Sequence, residues 1–224
     1  MINVAIDGPA GSGKSTIAEI LSKKLDYRVL NTGSIYRGMA CSYRDKNLGA
    51  LNEERAEEFL KQLKTIEIKF VGDEQHVIVD GIDYTPLLRQ EEISNMASHI
   101  SSFKAVRERI LDIQRDFANE YNCIMDGRDI GTVVLPNAQI KIFMIASPEE
   151  RANRRFKQVE GETYEEILKD IMARDYADEH RAVAPLKPAD DAVILDTSDM
   201  TIEEVVENCL EIIKLKLEKW MVLW

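Results

Sequence analysis

Short apolar stretches alternate along the chain with longer segments whose apolar residues recur at helical spacing. The stretches that predict buried strands are residues 2–6, 27–30, 123–125, 140–145 and 192–195. Helical patterns lie between them, beginning with residues 14–25, where Ile17, Ile20 and Leu21 share one face. This alternation predicts an α/β fold with a five-stranded parallel sheet flanked by helices.

A different pattern interrupts this order between residues 66 and 79. Apolar residues occupy alternate positions at 66, 68 and 70 and again at 77 and 79, and a glycine-containing turn follows each run. This pattern predicts a small antiparallel β insert. A polar helix capped by Asn52 precedes it, and a helical pattern broken near Ser101 follows over residues 91–119.

Helix-capping sequences mark the second half of the chain. Ser147 precedes a proline and two glutamates, and Thr163 and Thr201 are each followed three residues later by glutamate. These are N-cap and capping-box patterns, so we predict that a helix begins after each of the three residues. Gly161 separates the first two of these helices.

The composition is that of one globular domain. The chain has 224 residues, 45% hydrophobic and 31% charged, and no apolar run reaches membrane-spanning length. The three cysteines lack the spacing of a metal site or disulfide framework, so we expect free thiols. The formal charge of −11 argues against a nucleic-acid polymer as partner. We expect a cytoplasmic monomer that does not bind membranes.

The most specific motif is the glycine-rich run directly after the first predicted strand. It consists of Gly8, Pro9, Ala10, Gly11, Ser12, Gly13, Lys14, Ser15 and Thr16, with the spacing of a phosphate-binding loop. Glycines let several backbone N–H groups point at one phosphate, and the following helix adds its positive dipole end. Lys14 would reach the β- and γ-phosphates of a nucleoside triphosphate, and the Ser15 hydroxyl would hold Mg²⁺.

Arginine is concentrated in residues 107–181. This segment has arginines at 107, 109, 115, 128, 151, 154, 155, 174 and 181, but lysines only at 141, 157 and 169. The planar guanidinium can donate two parallel hydrogen bonds to one phosphate, which lysine cannot do. Helical spacing forms two clusters, Arg151 with Arg154 and Arg155, and Arg174 with Asp178 and Arg181 on one face. They predict either surface ion pairs or a mobile cover that brings arginines onto phosphates.

The loop at residues 126–131 follows another predicted strand, at the sheet edge where ligands bind in α/β proteins. It holds Arg128 between Asp126 and Asp129 with glycines on both sides, which suits either a solvated turn or a nucleotide site. The chain has only three histidines and lacks a Ser/His/Asp arrangement. Phosphoryl transfer to a phosphate acceptor needs no strong base, since positioning, Mg²⁺ and arginines supply most of the catalysis.

Four segments carry a family resemblance. Residues 6–15 read IDGPAGSGKS, residues 32–37 TGSIYR, residues 126–134 DGRDIGTVV and residues 181–186 RAVAPL. In combination they resemble the bacterial cytidylate kinases, and the resemblance runs from residue 2 to the last helix. It implies one nucleoside monophosphate kinase domain, residues 1–224, with a monophosphate-binding insert at 60–97 and a helical lid at 148–182. It also implies ATP- and Mg²⁺-dependent phosphorylation of CMP and dCMP to CDP and dCDP.

The resemblance implies roles for residues around the acceptor nucleoside. Ser98, Arg107 and Asp129 match residues that recognise cytosine, and a carboxylate can accept a hydrogen bond from the exocyclic amine that uracil lacks. Arg174 and Asp178 match the pair that contacts the ribose.

Phosphate-binding roles follow from the same resemblance. Arg37, Arg128 and Arg181 match arginines that hold the acceptor phosphate, and Thr32 belongs to the same substrate site. Arg151, Arg154 and Arg155 match lid arginines that approach the donor phosphates. The predicted catalytic residues are therefore Lys14, Arg128, Arg181, Arg151 and Arg155, with Arg154 assigned to ATP binding.

Some features leave alternatives open. Asn31 stands where relatives commonly carry aspartate, which removes a charge near the acceptor. The apolar segment at residues 214–224 predicts either a last helical turn packed on the core or a docking site. Two other functions are a kinase of another nucleoside monophosphate and a nucleotide-dependent switch, although the guanine-reading Asn-Lys-x-Asp motif is absent from the sequence.

Overall fold

The structure, a computed structural model, describes residues 1–159 and 161–222, without the side chains of Met221 and Val222. These residues fall into two compact units: the first is Met1–Val29 with Phe117–Trp224, and the second is Leu30–Asp116. Leu223 and Trp224, the end of the apolar C-terminal segment, lie outside the described residues. The choice between packing and docking for that segment is therefore still a prediction.

Sixteen helices and strands make up most of the described chain. In order they are β1 (Asn3–Asp7), α1 (Lys14–Leu25), β2 (Arg28–Asn31), α2 (Thr32–Asp45), α3 (Glu53–Gln62), β3 (Ile66–Val71), β4 (Glu74–Val79), β5 (Ile82–Asp83), α4 (Glu91–Ile100), α5 (Lys104–Glu120), β6 (Cys123–Gly127), β7 (Ile140–Ile145), α6 (Pro148–Phe156), α7 (Tyr164–His180), β8 (Val193–Asp196) and α8 (Ile202–Val222). A 3-10 turn at Thr85–Leu87 and a π-helical turn at Ile130–Val134 interrupt the connections.

The five-stranded parallel sheet predicted from the sequence is confirmed. Its strand order is β2-β6-β1-β7-β8, and β1 pairs in parallel with both β6 and β7. Asp7 at the end of β1 lies opposite Gly127 at the end of β6. The glycine-rich loop after β1 and the loop after β6 therefore leave the sheet side by side.

A continuous apolar core holds these strand ends in place. Ile6 of β1 and Ile142 of β7 pack with Ile17 and Leu21 of α1, and Cys209 of α8 closes the same cluster. Burial of each large apolar side chain contributes about 1.5–3 kcal/mol. Because α1 is packed along its buried face, its first residue, Lys14, has a fixed place at the end of β1.

The helical pair α6 and α7 has a small core of its own. Ala152 of α6 packs with Ile167 and Ile171 of α7. The capping box predicted at Thr163 is present, since its side chain accepts from Glu166 N while the Glu166 carboxylate accepts from Thr163 N. Gly161, in the connection, has a φ of 90°, a value that favours glycine. The two helices therefore pack on each other through apolar side chains of their own.

The second unit contains the predicted antiparallel insert, which is confirmed. Strands β3, β4 and β5 form a three-stranded sheet in which Ile68 lies opposite Val77. Helix α2 approaches β4 closely at Gly38, where an added Cβ would stand 2.4 Å from Val77 Cγ1. Only glycine allows this contact, so α2, which begins at Thr32, is fixed against the sheet of the insert.

None of the helices in the described ranges is long and apolar enough to cross a membrane.

The three cysteines are free, as the sequence predicts, and all three are buried. Burial raises the pKa of the Cys123 and Cys209 thiols to about 12, and the pKa of Cys41 is also raised. At pH 8 a thiol of pKa 12 is thiolate in about one molecule in 10⁴, and the thiolate is the reactive form. We therefore expect less than one thiol per native chain to react with a disulfide reagent, and three per chain in guanidinium. Rapid labelling of the native protein would contradict this burial.

Candidate functional site

The glycine-rich loop between β1 and α1 has the backbone shape that phosphate binding requires. Gly8, Gly11 and Gly13 have φ values of 147°, 76° and 89°. A Cβ at Gly8 would lie 2.0 Å from Met144 O, so the loop can run this close to β7 only with glycine there. These conformations turn successive N–H groups toward one side, where α1 also presents its N-terminus.

Lys14 is buried beneath this loop. Its Nζ donates to Pro9 O at 2.6 Å and to Ser12 Oγ at 3.1 Å. Burial holds the pKa of Lys14 well below its usual value, and the neighbouring Arg128 cation lowers it further. The carboxylates of Asp126 and Asp7 act in the opposite direction. A buried cation thus lies beneath the loop, near two acids and a second cation, Arg128.

Ser15, predicted to hold Mg²⁺, contacts Asp126, an acid of the candidate loop at 126–131 to which the sequence analysis gave no role of its own. Its Oγ donates to Asp126 Oδ2 at 2.6 Å, and Asp126 lies inside the buried strand β6. The signal available in the sequence was an acid directly after the predicted apolar strand at residues 123–125. The hydroxyl and the carboxylate are both hard oxygen donors, the ligand type that Mg²⁺ prefers.

Asp7 is a second buried acid that sequence reasoning missed. Its two carboxylate oxygens accept from Ile130 N at 2.8 Å and Gly131 N at 2.7 Å. Burial raises the pKa of Asp7 to about 6, although these two hydrogen bonds and the Lys14 charge lower it. Asp7 thereby fixes the start of the π-helical turn and, with it, the preceding residues Arg128 and Asp129.

The structure brings together several of the residues predicted to bind the acceptor. Arg128 Nε donates to Asp178 Oδ2 at 3.0 Å, and Arg181 Nη1 lies 3.8 Å from the other Asp178 oxygen. Arg181 Nη2 lies 3.5 Å from Asp129 Oδ1. We call Arg128, Asp129, Asp178 and Arg181 the acceptor cluster. Two cations and two carboxylates thus stand together in one largely buried group whose charges balance.

Arg181 does not occupy the helical position that its spacing from Arg174 predicts. Helix α7 ends at His180, and Arg181 has extended ψ at 142°, so it does not share the helical face of Arg174. Its Nε donates to Ala184 O at 2.5 Å, and Ala184 has a φ of 51°. The chain turns back after the helix, and this turn, rather than helical periodicity, directs Arg181 to Asp129.

Arg174 lies one helical turn before Asp178. Burial is the largest cause of a lowered pKa for its guanidinium, and the Arg128 and Arg155 cations lower it further, while Asp178 opposes them. Arg174 therefore lies within the field of the acceptor cluster, beside Asp178 as the resemblance implies.

The predicted lid arginines are directed to different partners. Arg151 is buried and donates to Asp175 and to Ala10 O of the glycine-rich loop. Arg154 donates through Nε to Glu150 at 2.9 Å and through Nη2 to Thr197 O at 2.6 Å. Arg155 is partly buried. The three arginines follow one another at helical spacing in the sequence, but each lies in a different environment.

Four predicted substrate residues belong to the second unit. Thr32 is the first residue of α2, and a Cβ at Gly33 would lie 3.4 Å from an Nη atom of Arg37. The Arg107 guanidinium stands 5.6 Å from the centre of the Tyr36 ring and donates to Ser101 O. Ser101 Oγ in turn donates to Ser98 O at 2.8 Å. Ser98 and Arg107 are thus linked through Ser101.

Asn31 stands at a position where relatives commonly carry aspartate, and it has a structural role there. Its side chain caps α2 by accepting from Ser34 N at 3.0 Å. Its backbone forms two hydrogen bonds with the Gln75 side chain of β4. An asparagine caps a helix as well as an aspartate does, so the cap is kept while the charge is removed.

Comparison with known proteins identifies the same family as the sequence motifs. Residues 4–215 match the family model described as cytidylate kinase. A cytidylate kinase of Caldicellulosiruptor saccharolyticus is 45% identical over 215 residues, covering 94% of this chain and 95% of that protein. A cytidylate kinase of Lactobacillus johnsonii is 44% identical over 220 residues, covering 96% and 95%. An uncharacterized protein from Eubacterium ventriosum, solved by crystallography, has 12% identity, a TM-score of 0.53 and coverage of 94% and 97%, which supports the fold alone.

Proposed function

The chain belongs to the cytidylate kinase family, and from this premise we propose that it transfers the γ-phosphoryl group of ATP directly to CMP and dCMP, giving CDP and dCDP. The observation that carries the proposal is the acceptor cluster, which lies in the same unit as the glycine-rich loop. A cytoplasmic location, a monomeric state and the division into core, insert (60–97) and lid (148–182) belong to the same proposal.

The donor ATP binds at the loop between β1 and α1. Backbone N–H groups of residues 8–13 and the N-terminus of α1 receive the phosphates, and Lys14 neutralises the β- and γ-phosphate charge. Thr16, in the first turn of α1, completes this binding segment. The positive φ values at Gly11 and Gly13 support this role, since they are needed for a concave loop.

Ser15 and Asp126 fit a Mg²⁺ ion by the chemistry of their oxygen atoms. When bound, Mg²⁺ would neutralise charge on the transferring phosphoryl group. Ser15 and Asp126 would hold the ion at the end of β6, and Asp7 would keep the neighbouring turn in position through its two backbone hydrogen bonds.

The acceptor phosphate is held by Arg128, Arg181 and Arg37. Guanidinium groups stabilise the charge that spreads over the equatorial oxygens in the transition state. The acceptor oxygen is already anionic, so no side chain has to remove a proton from it. Arg174 and Asp178 contact the ribose, and the lid arginines Arg154 and Arg155 approach the donor phosphates.

A panel of nucleoside monophosphates tests the proposal. With ATP and Mg²⁺ in a coupled ADP assay, we expect turnover with CMP and dCMP well above turnover with UMP, AMP or GMP. Equal rates with all acceptors would favour a kinase of broader acceptor range. ATP hydrolysis that no monophosphate stimulates would instead favour a nucleotide-dependent switch.

Base selectivity rests on Asp129, with Ser98 and Arg107 as further base-recognising residues. Asp129→Asn replaces an acceptor of hydrogen bonds by an amide that can also donate, so cytosine loses its advantage over uracil. We expect the ratio of kcat/KM for CMP to that for UMP to fall by roughly 10-fold or more. Asp190→Asn, the same change at an exposed position, should keep the wild-type ratio. A ratio preserved in Asp129→Asn would place the selectivity in other residues.

A further inference from the structure

Arg151 and Asp175 form a buried ion pair that connects separate segments of the first unit. Arg151 Nη1 and Nη2 donate to the two Asp175 oxygens at 2.9 and 2.5 Å, and the side chains are 3% and 14% exposed. Two parallel hydrogen bonds fix the orientation of the partners as well as their distance. The pair ties α6, which carries Arg151, to α7, which carries Asp175.

The same guanidinium also holds the glycine-rich loop. Its Nη1 donates to Ala10 O at 3.0 Å, and its Nε donates to Ala146 O, just after β7, at 2.9 Å. A Cβ added at Gly11 would lie 3.4 Å from Arg151 Cβ, so the loop backbone packs on the base of this side chain. A shift of Arg151 would therefore move the loop that receives the donor phosphates.

Helix α7 carries residues of the acceptor site next to Asp175. Arg174 directly precedes Asp175, and Asp178 lies one turn further on, in contact with Arg128. A rigid helix transmits a displacement from one turn to the next. An acceptor that draws Arg174 and Asp178 toward it therefore displaces Asp175, and Asp175 is bonded to Arg151.

In terms of stability alone, two apolar side chains of similar volume would serve at least as well as the Arg151–Asp175 ion pair. Removing two charges from water costs free energy that their mutual attraction often fails to return. An apolar side chain, however, could not bind Ala10 O, Ala146 O and a residue of α7 at the same time. The specific effect of the Arg151–Asp175 pair is the fixed connection between the loop, β7 and α7.

We propose that the Arg151–Asp175 pair positions the glycine-rich loop and couples its geometry to occupation of the acceptor site. The inference rests on the proposed function, since it takes α7 to bear acceptor-binding residues. Arg151 is then a positioning residue, in contrast to the direct contact with donor phosphates that the sequence predicts for it.

The two roles give opposite results for Asp175→Asn. If Arg151 contacts phosphate, loss of the Asp175 charge releases the guanidinium toward ATP, and affinity for ATP stays the same or increases. If Arg151 positions the loop, the same change loosens the loop, and we expect kcat/KM for ATP to fall by roughly 10- to 100-fold, the usual cost of a misplaced site. Arg151→Lys, which keeps the charge but not the forked donor, should show a similar fall.

Calorimetry measures the coupling directly. A non-hydrolysable ATP analogue is titrated into the wild type and the variants, with and without saturating CMP. We expect CMP to tighten analogue binding in the wild type and to lose most of that effect in Asp175→Asn. The double variant, Asp175→Asn with Arg151→Lys, should lose no more of the CMP effect than the more impaired of the two single variants. Both changes break the same connection, so their effects do not add.

Asp191→Asn is the matched control. Asp191 accepts from Lys141 Nζ at 2.8 Å, and Lys141 is a buried cation of the same unit that also donates to a backbone oxygen, Pro136 O. This variant should keep the CMP effect even if its melting temperature falls. Three results would overturn the inference. The CMP effect could be retained in Asp175→Asn, it could be lost to the same extent in Asp191→Asn, or it could be absent from a wild type that is active. A wild type that does not phosphorylate CMP would contradict the proposed function instead.

Discussion

Replacing Arg181 with alanine is expected to lower kcat for CMP phosphorylation by roughly 10³-fold, while the affinity for ATP changes only a few-fold. Arg181 is nearly buried, and Ala184 O and Asp129 hold its guanidinium in a fixed orientation. A cation held in this way stabilises charge in the transition state without reorganising during the reaction. We expect the affinity for ATP to change little, because Arg181→Ala leaves the glycine-rich loop and Lys14 in place.

The measurement is a steady-state assay with CMP and ATP varied in turn, together with calorimetric titration of an ATP analogue. Arg181→Lys should be intermediate, because lysine keeps the charge but has no planar fork of donors. Arg55→Ala, at a surface arginine paired with Glu58, should match the wild type. A wild-type kcat in a folded Arg181→Ala protein would remove Arg181 from the acceptor site.

Local signals in the sequence predict the elements of this fold well. The helix over residues 14–25 has those bounds in the structure, and Asn52, Ser147, Thr163 and Thr201 each lie at a helix start as predicted. A cap depends on residues within one turn of each other, so the sequence contains all of its determinants. The strands follow from their hydrophobic period, and their arrangement follows from the order of elements: alternation with helices predicts the parallel sheet, and short turns predict the antiparallel insert.

The site is only partly predictable, because its contacts join residues far apart in the chain. Asp7 and Gly131 are separated by 124 positions, and Arg151 and Asp175 by 24. The sequence has 40 acidic residues, and no local feature marks Asp175 as the one that binds a buried arginine. For Asp7 and Asp126 a signal did exist, since each acid directly follows a predicted apolar strand, at the sheet edge where ligands bind.

The turn after α7 shows a different limit of prediction from sequence, namely that helical spacing does not reveal where a helix ends. Helical spacing extends formally from Arg174 to Arg181, but the helix stops at His180. Pro185 was the available signal, since a proline disfavours helical conformation in the residue before it. The backbone at Ala184 adopts a φ of 51°, which costs free energy for alanine, and its carbonyl oxygen accepts from Arg181 Nε. Strained backbone of this kind is typical of functional loops, and periodicity cannot predict it.

Lys14→Met should reduce kcat/KM for ATP by roughly 10³-fold, since it removes the cation that faces the β- and γ-phosphates. Methionine is also unbranched and has a similar length, so the loop keeps its packing. Burial disfavours the charged form of Lys14 and holds its pKa well below the usual value. Losing the charge therefore need not lower the melting temperature, although Asp7 and Asp126 lose a neighbouring cation.

Turnover and thermal denaturation, measured on the same preparations, separate loss of the charge from loss of the fold. Lys23→Met, the same substitution in the exposed last turn of α1, should match the wild type in both measurements. Lys14→Arg should recover little activity, because Lys14 is buried and a larger planar guanidinium would have to displace the loop packed around it. A folded Lys14→Met protein with kcat/KM within 10-fold of the wild type would mean that the α1 N-terminus and the loop amides stabilise the phosphates without this lysine.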